Sequence, residues 1–166
     1  LPVLRRNAKR PGDARVVQVA SMLGRLSIPL AGPYNASKHA VVALAETLRL
    51  EVGPEVRVIL VEPGAFRTDW PGRSMQETRT PIEAYAATVG ARKQLIKAAG
   101  SRFPGDPRKV AEAVLRVSEM AEPPLHLLLG HDVYKAYREK LTALLASIEE
   151  WKDVTLDVNF PPEPRT

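Results

Sequence analysis

The sequence predicts an α/β fold, about three parallel strands flanked by helices, from three short apolar runs that alternate with helical patterns. Arg15 to Ala20 carries Val16, Val17 and Val19 between Pro11-Gly12-Asp13 and Gly24. Val56 to Val61 is mostly β-branched and ends at Pro63-Gly64, and Leu125 to Leu129 follows Pro123-Pro124. Continuous apolar runs of this kind suit strands covered on both faces, which is the condition of a parallel sheet.

The elements follow in chain order. Leu1 to Arg5 reads as the tail of a helix and Asn7 to Ala14 as a linker. After the first strand, a loop with Pro29, Gly32 and Pro33 leads to a helix opening near Tyr34 and ending around Leu48-Arg49-Leu50-Glu51. The second strand stops at Pro63-Gly64, and Pro71-Gly72-Arg73-Ser74 begins a polar stretch. The Ala-rich segment Ile82 to Ala99 is expected to be helical, with Tyr85, Val89, Leu95 and Ile96 as candidate buried positions. Gly105-Asp106-Pro107 is a helix start, with Asp106 as cap and Pro107 in the first turn, and Val110, Val114, Leu115 and Val117 are spaced for a buried stripe. Glu122-Pro123-Pro124 stops that helix before the third strand. Asp132 to Trp151 reads as an amphipathic helix carrying Val133, Tyr137, Leu141, Leu144, Leu145 and Ile148. Residues 1–155 are assigned to one domain and residues 156–166, which end in Phe160-Pro-Pro-Glu-Pro-Arg-Thr166, to a Pro-rich tail.

Composition narrows the chemistry. With 166 residues, 45% of them apolar and 26% charged, the chain can bury one core and shows no sign of disorder. The absence of cysteine excludes disulfides, thiolate zinc sites and a cysteine nucleophile, and suits a reducing, cytoplasmic setting. No apolar stretch approaches the length of a membrane span. The net charge of +5 raises nucleic acid as a partner, but the densest basic group, Arg5, Arg6, Lys9, Arg10 and Arg15, has no aromatic residues among it for base stacking. A solvated surface is the expected reading. His39, His126 and His131 have no helical i, i+4 spacing, so no metal site is expected from them.

The pattern that carries chemistry is Ser21 at the end of the first strand, followed thirteen residues later by Tyr34-Asn35-Ala36-Ser37-Lys38. Tyr34 and Lys38 are four apart on a helix, so they share one face. A phenol, with an ordinary pKa of about 10, is a poor base at neutral pH, and a neighbouring ammonium favours its phenolate. Ser21 would hold a substrate oxygen against Tyr34. Each residue alone is commonplace, and their combination is the signal. The turn after the second strand adds Gly64, where backbone can approach a flat ligand, and the Thr68 hydroxyl.

With Gly24, Ala36-Ser37-Lys38-His39-Ala40 and Val56-Arg57-Val58-Ile59-Leu60-Val61-Glu62-Pro63-Gly64 followed by Thr68, this chain resembles the short-chain dehydrogenase/reductase family, strongly over residues 1 to 70 and weakly beyond. The resemblance implies the C-terminal part of a Rossmann-like, doubly wound parallel sheet. By analogy Tyr34 is the acid/base, Lys38 its electrostatic helper and ribose ligand, and Ser21 the orienter. Tyr34, Lys38, Pro63, Gly64, Phe66 and Thr68 become cofactor contacts. It implies NAD or NADP as cofactor, hydride transfer with a small alcohol or ketone, and a segment after Pro-Gly that covers the substrate, with Trp70, Met75 and Tyr85 as candidate substrate contacts outside the catalytic set. No Gly-rich pyrophosphate turn occurs anywhere in the sequence. The chain is therefore expected to be the C-terminal portion of a longer protein, inactive by itself, with a homo-oligomer as the full-length form. The strand Arg15 to Ala20 is then expected at a sheet edge. The rival reading is a pseudoenzyme fragment that acts only in association.

Overall fold

In a computed structural model that describes residues 1–10, 12–69, 82–99 and 102–160, the three apolar runs become strands β1 (Ala14–Val19), β2 (Val56–Pro63) and β3 (His126–Leu129). They form one sheet in the order β1-β2-β3 with both pairings parallel. The register sets Val19 opposite Val61 and Pro63 opposite Leu129, so the ends of all three strands meet on one side.

β2 is the central strand, and its sequence shows why. Val58 and Leu60 point to one face and join Val42, Ala45 and Val52 of helix α2 (Gly32–Val52). Ile59 and Val61 point to the other and meet Val117 of helix α4 (Pro107–Ser118). Five of these strand residues, Val56 included, are at most 1% exposed. A strand covered on both faces has no use for alternating polar residues. β1 lies at an edge, as expected, and leaves Val17 and Val19 exposed.

The helices follow the local signals with two exceptions. Helix α1 (Pro2–Asn7) precedes β1, and Gly32 and Pro33 belong to the first turn of α2 rather than to the loop, because proline without an N–H suits that position. Asp106 caps α4 by accepting the Arg108 N–H at 2.9 Å, as its sequence predicts. The segment Ile82 to Ala99 is not one helix. It divides into a 3-10 turn (Glu83–Tyr85), a π-helical turn (Ala86–Gly90) and helix α3 (Ala91–Ala99). Thr88, Val89 and Gly90 are all weak α-helix formers, which explains where the irregularity falls. Ile96 is buried as expected, but Tyr85 and Leu95 are exposed, as is Leu115 of α4.

Helix α5 (His131–Glu150) departs furthest from expectation. Val133 and Tyr137 are buried against Leu26, yet Leu141, Leu144, Leu145 and Ile148 are all exposed. The stripe exists in the sequence, but after two turns the helix has run past the sheet. A short helix α6 (Lys152–Leu156) follows. No helix among the described residues is long and apolar enough to cross a membrane.

Candidate active site

Ser21 follows β1 directly, its ladder extended one residue by the Ala20 N–H bond to Val61 O at 2.8 Å. The Ser21 backbone is extended and its Oγ accepts the Leu23 N–H at 3.2 Å, capping the 3-10 turn Met22–Gly24. An accepting hydroxyl keeps its own proton to donate. Ser21 is nevertheless buried.

Gly24 explains how Ser21 is brought beside α2. A Cβ there would stand 2.7 Å from Val42 Cγ2 and 3.0 Å from the Lys38 carbonyl oxygen. The turn after Ser21 therefore lies flat on α2 at the level of Lys38. Tyr34, in the first turn of α2, is 44% exposed at the strand ends, and Lys38 sits one turn later with Nζ 5.8 Å from the centre of the Tyr34 ring. Lys38 Nζ also donates to Val19 O at 3.3 Å. That bond occupies one of the three ammonium donors, and the others match the hydroxyls of a ribose. Between Ser21 and Tyr34 the chain bends back at Leu30, whose φ of 80° is a left-handed backbone that side chains rarely adopt. Buried Asn35 braces this bend: with its amide oriented to satisfy both neighbours, it donates to Ala31 O and accepts the Ile28 N–H, each at 3.1 Å.

The second cluster sits on the neighbouring strand. Ser21 and Pro63 each lie two residues beyond the paired Val19 and Val61, which places the Pro63-Gly64 turn beside Ser21. What approaches Gly64 is protein: a Cβ there would meet the Asp132 carboxylate at 2.4 Å, and Asp132 Oδ2 accepts the Ala65 N–H at 2.8 Å. The Asp132 side chain thus packs directly on Gly64 and ties the start of α5 to this turn. Phe66 turns away toward Gly105, its bridge partner, and lines a cavity of about 320 Å³ with Lys109, Leu129, Gly130 and Asp132. Thr68 is exposed. Trp70, Met75 and the Pro71-Gly72-Arg73-Ser74 run lie outside the described residues.

Sequence reasoning missed a charged group beneath this site. Glu62, immediately before Pro63, is fully buried and accepts Tyr137 Oη at 2.9 Å on one carboxylate oxygen and meets His126 Nδ1 at 2.9 Å on the other. Arg25 Nε stands 3.5 Å from the same carboxylate while the guanidinium pairs with Glu46 of α2 and lies 3.1 Å from His126 Nε2. Burial, then the adjacent Glu62 charge, hold the Tyr137 phenol above its ordinary value. His126 belongs to this cluster. The available signal was a carboxylate ending a buried apolar strand, which must find partners. Among the described residues no three His, Asp or Glu side chains are arranged to hold a metal ion.

Comparison with known proteins identifies the family. A family model described as short chain dehydrogenase matches residues 3–79, and the oxidoreductase BOA17 of Botryotinia fuckeliana is 38% identical over 158 residues, 94% of this chain and 56% of that protein. The chain belongs to the short-chain dehydrogenase/reductase family. The crystal structure of a short-chain dehydrogenase from Streptomyces avermitilis superimposes with a TM-score of 0.81 at 34% identity, covering 96% of this chain and 56% of that one. A short-chain dehydrogenase/reductase from Burkholderia phymatum in complex with NAD gives a TM-score of 0.55 at 27% identity, covering 92% of this chain and 52% of that one. The dehydrogenase fold seen here thus spans about half the length of the relatives it matches.

Proposed function

We propose that these 166 residues form the catalytic portion of an NAD- or NADP-dependent oxidoreductase that interconverts an alcohol and a ketone, completed by a Gly-rich dinucleotide-binding portion that this sequence does not contain. The observation that carries the reading is the Tyr34–Lys38 pair, one helical turn apart at the strand ends, with the ammonium 5.8 Å from the ring centre. The bound nicotinamide supplies or accepts the hydride. In reduction, Tyr34 Oη gives its proton to the substrate oxygen, and in oxidation the phenolate takes that proton back. Lys38 stabilises the phenolate electrostatically and offers its remaining N–H donors to the ribose. Ser21 Oγ, with its acceptor side occupied by Leu23, donates to the substrate oxygen and holds it against Tyr34. Pro63, Gly64 and Thr68, and Phe66 if its ring leaves Gly105, would hold the nicotinamide side of the cofactor. Family membership and the NAD complex of the Burkholderia phymatum relative support the cofactor assignment. The whole protein is proposed to act on a small molecule, in the cytoplasm, as a homo-oligomer.

Steady-state kinetics and cofactor titration on the whole protein test the reading. Tyr34→Phe removes only the exchangeable proton, so kcat falls at least about a hundredfold with cofactor affinity nearly unchanged. Lys38→Ala weakens both. The 166-residue chain alone binds neither NADH nor NADPH measurably, because pyrophosphate anchoring by helix and loop N–H groups is missing. A Tyr34→Phe enzyme that keeps its rate refutes the mechanism, and tight binding by the chain alone refutes the division between the two portions.

A further inference from the structure

We infer that Glu62 is a positioning residue that ties the segment between Ser21 and Tyr34 to the Pro63-Gly64 turn, through Arg25 and Tyr137. The inference rests on the proposed oxidoreductase function. Glu62 is fully buried in the central strand, one residue before the turn. Arg25, four residues past Ser21, reaches its carboxylate with Nε at 3.5 Å and binds Glu46 on the helix of Tyr34 and Lys38. Tyr137 donates to Glu62 at 2.9 Å, and its oxygen lies 3.4 Å from the carbonyl of Met22, the residue after Ser21. His126 of β3 meets the second carboxylate oxygen, and Lys140 of α5 donates to the Arg25 carbonyl. Arg25 after the Ser21 turn, β3 through His126 and α5 through Tyr137 thus meet at the one carboxylate of β2, and α2 joins them through Glu46 on Arg25.

Stability is a poor reason to keep this group. A buried charged cluster is commonly replaceable by well-packed apolar side chains without loss, because desolvation offsets the attraction between its members. An apolar contact, however, does not set direction. Arg25, charge-paired with both Glu46 and buried Glu62, does, and the segment it holds includes the left-handed Leu30 and leads into Tyr34. Misplacing a reacting group by about 1 Å can cost a hundredfold in rate, so the register between the Ser21–Tyr34 side and the Pro63-Gly64 side is what the cluster protects.

The test uses the whole protein with Arg25→Met, Arg25→Lys and Glu62→Gln. Arg25 is the half-exposed end of the cluster, so its variants remain informative where Glu62→Gln fails to fold. In Arg25→Met we expect kcat to fall about tenfold or more with substrate and cofactor KM within twofold, and Arg25→Lys to recover part of the rate. Hydrogen exchange, which needs no turnover, is expected to quicken in residues 22–31 and 63–65 together. Unchanged kcat in the folded variants, or faster exchange confined to 22–31, overturns the inference. Tyr34→Phe run alongside separates the two readings: an active Tyr34→Phe enzyme sinks the proposed function, whereas an inactive one beside a fully active Arg25→Met sinks only the positioning role.

Discussion

Helices α2 and α5 are nearly equal in length, 21 and 20 residues, and both carry apolar residues at helical spacing, yet they are used differently. α2 lies along the sheet and buries residues from Asn35 to Val52, nearly its full length. α5 buries only Val133 and Tyr137 near its start, and past Lys140, which reaches the Arg25 carbonyl, its apolar residues are exposed, Leu144 at 51%. Amphipathic patterning selects a helix and a face, but what that face meets depends on the size of the sheet under it. The candidate residues Tyr34 and Lys38 are found on the helix that is seated throughout, and α5 contributes Asp132, Tyr137 and Lys140, which hold Ala65, Glu62 and Arg25.

Substitutions that treat the two helices alike should give unequal results. Val42→Asp, which puts an unpartnered carboxylate into the α2 core, is expected to cost about 3–5 kcal/mol by urea denaturation. A loss below 1 kcal/mol would mean α2 is not seated as described. Gly24→Ala forces a Cβ against Val42 and the Lys38 carbonyl, so we expect a loss of about 1–3 kcal/mol from overpacking, together with reduced turnover as Lys38 shifts. Tyr137→Phe removes the buried hydrogen bond to Glu62 and is expected to cost about 1–3 kcal/mol at neutral pH. Its pH dependence has a definite sign. The folded phenol is held protonated above its ordinary value of 10.0, so its contribution is present below that pH and declines above it as the unfolded phenol ionises. The gap in melting temperature between the native protein and Tyr137→Phe should therefore narrow above pH 10, and a gap that widens would contradict the burial of Tyr137. Leu144→Asp, on the exposed half of α5, is expected to change stability by no more than about 0.5 kcal/mol. A large loss there would show that the outer stripe is covered in solution.

The parts legible in the sequence were those determined within a few residues. β2 announced itself by a continuous apolar run, α4 by Asp106 and Pro107, and the Tyr34–Lys38 pair by helical spacing. The Ile82 to Ala99 segment is helical as its composition suggests, but Thr88, Val89 and Gly90 disfavour a regular α-helix and it divides into three helical types. The cluster around Glu62 was invisible because its partners lie 64, 75 and 101 residues apart in its hydrogen bonds and contacts. Nothing local marks a buried carboxylate's partners.

By itself, then, the sequence determined the α/β class, the three strands, the Asp106 cap of α4 and the shared face of Tyr34 and Lys38, since all depend on periodicity, backbone preference or a spacing of one helical turn. Only the tertiary structure decided that Asp132 packs on Gly64, that the apolar residues of α5 are buried at its start and exposed thereafter, and that Arg25, Glu46, Glu62, His126 and Tyr137 converge beneath the site. The physical reason is the same in each case. Burial and charge pairing are properties of groups distant in the chain, and they exist only once the sheet has brought those groups together.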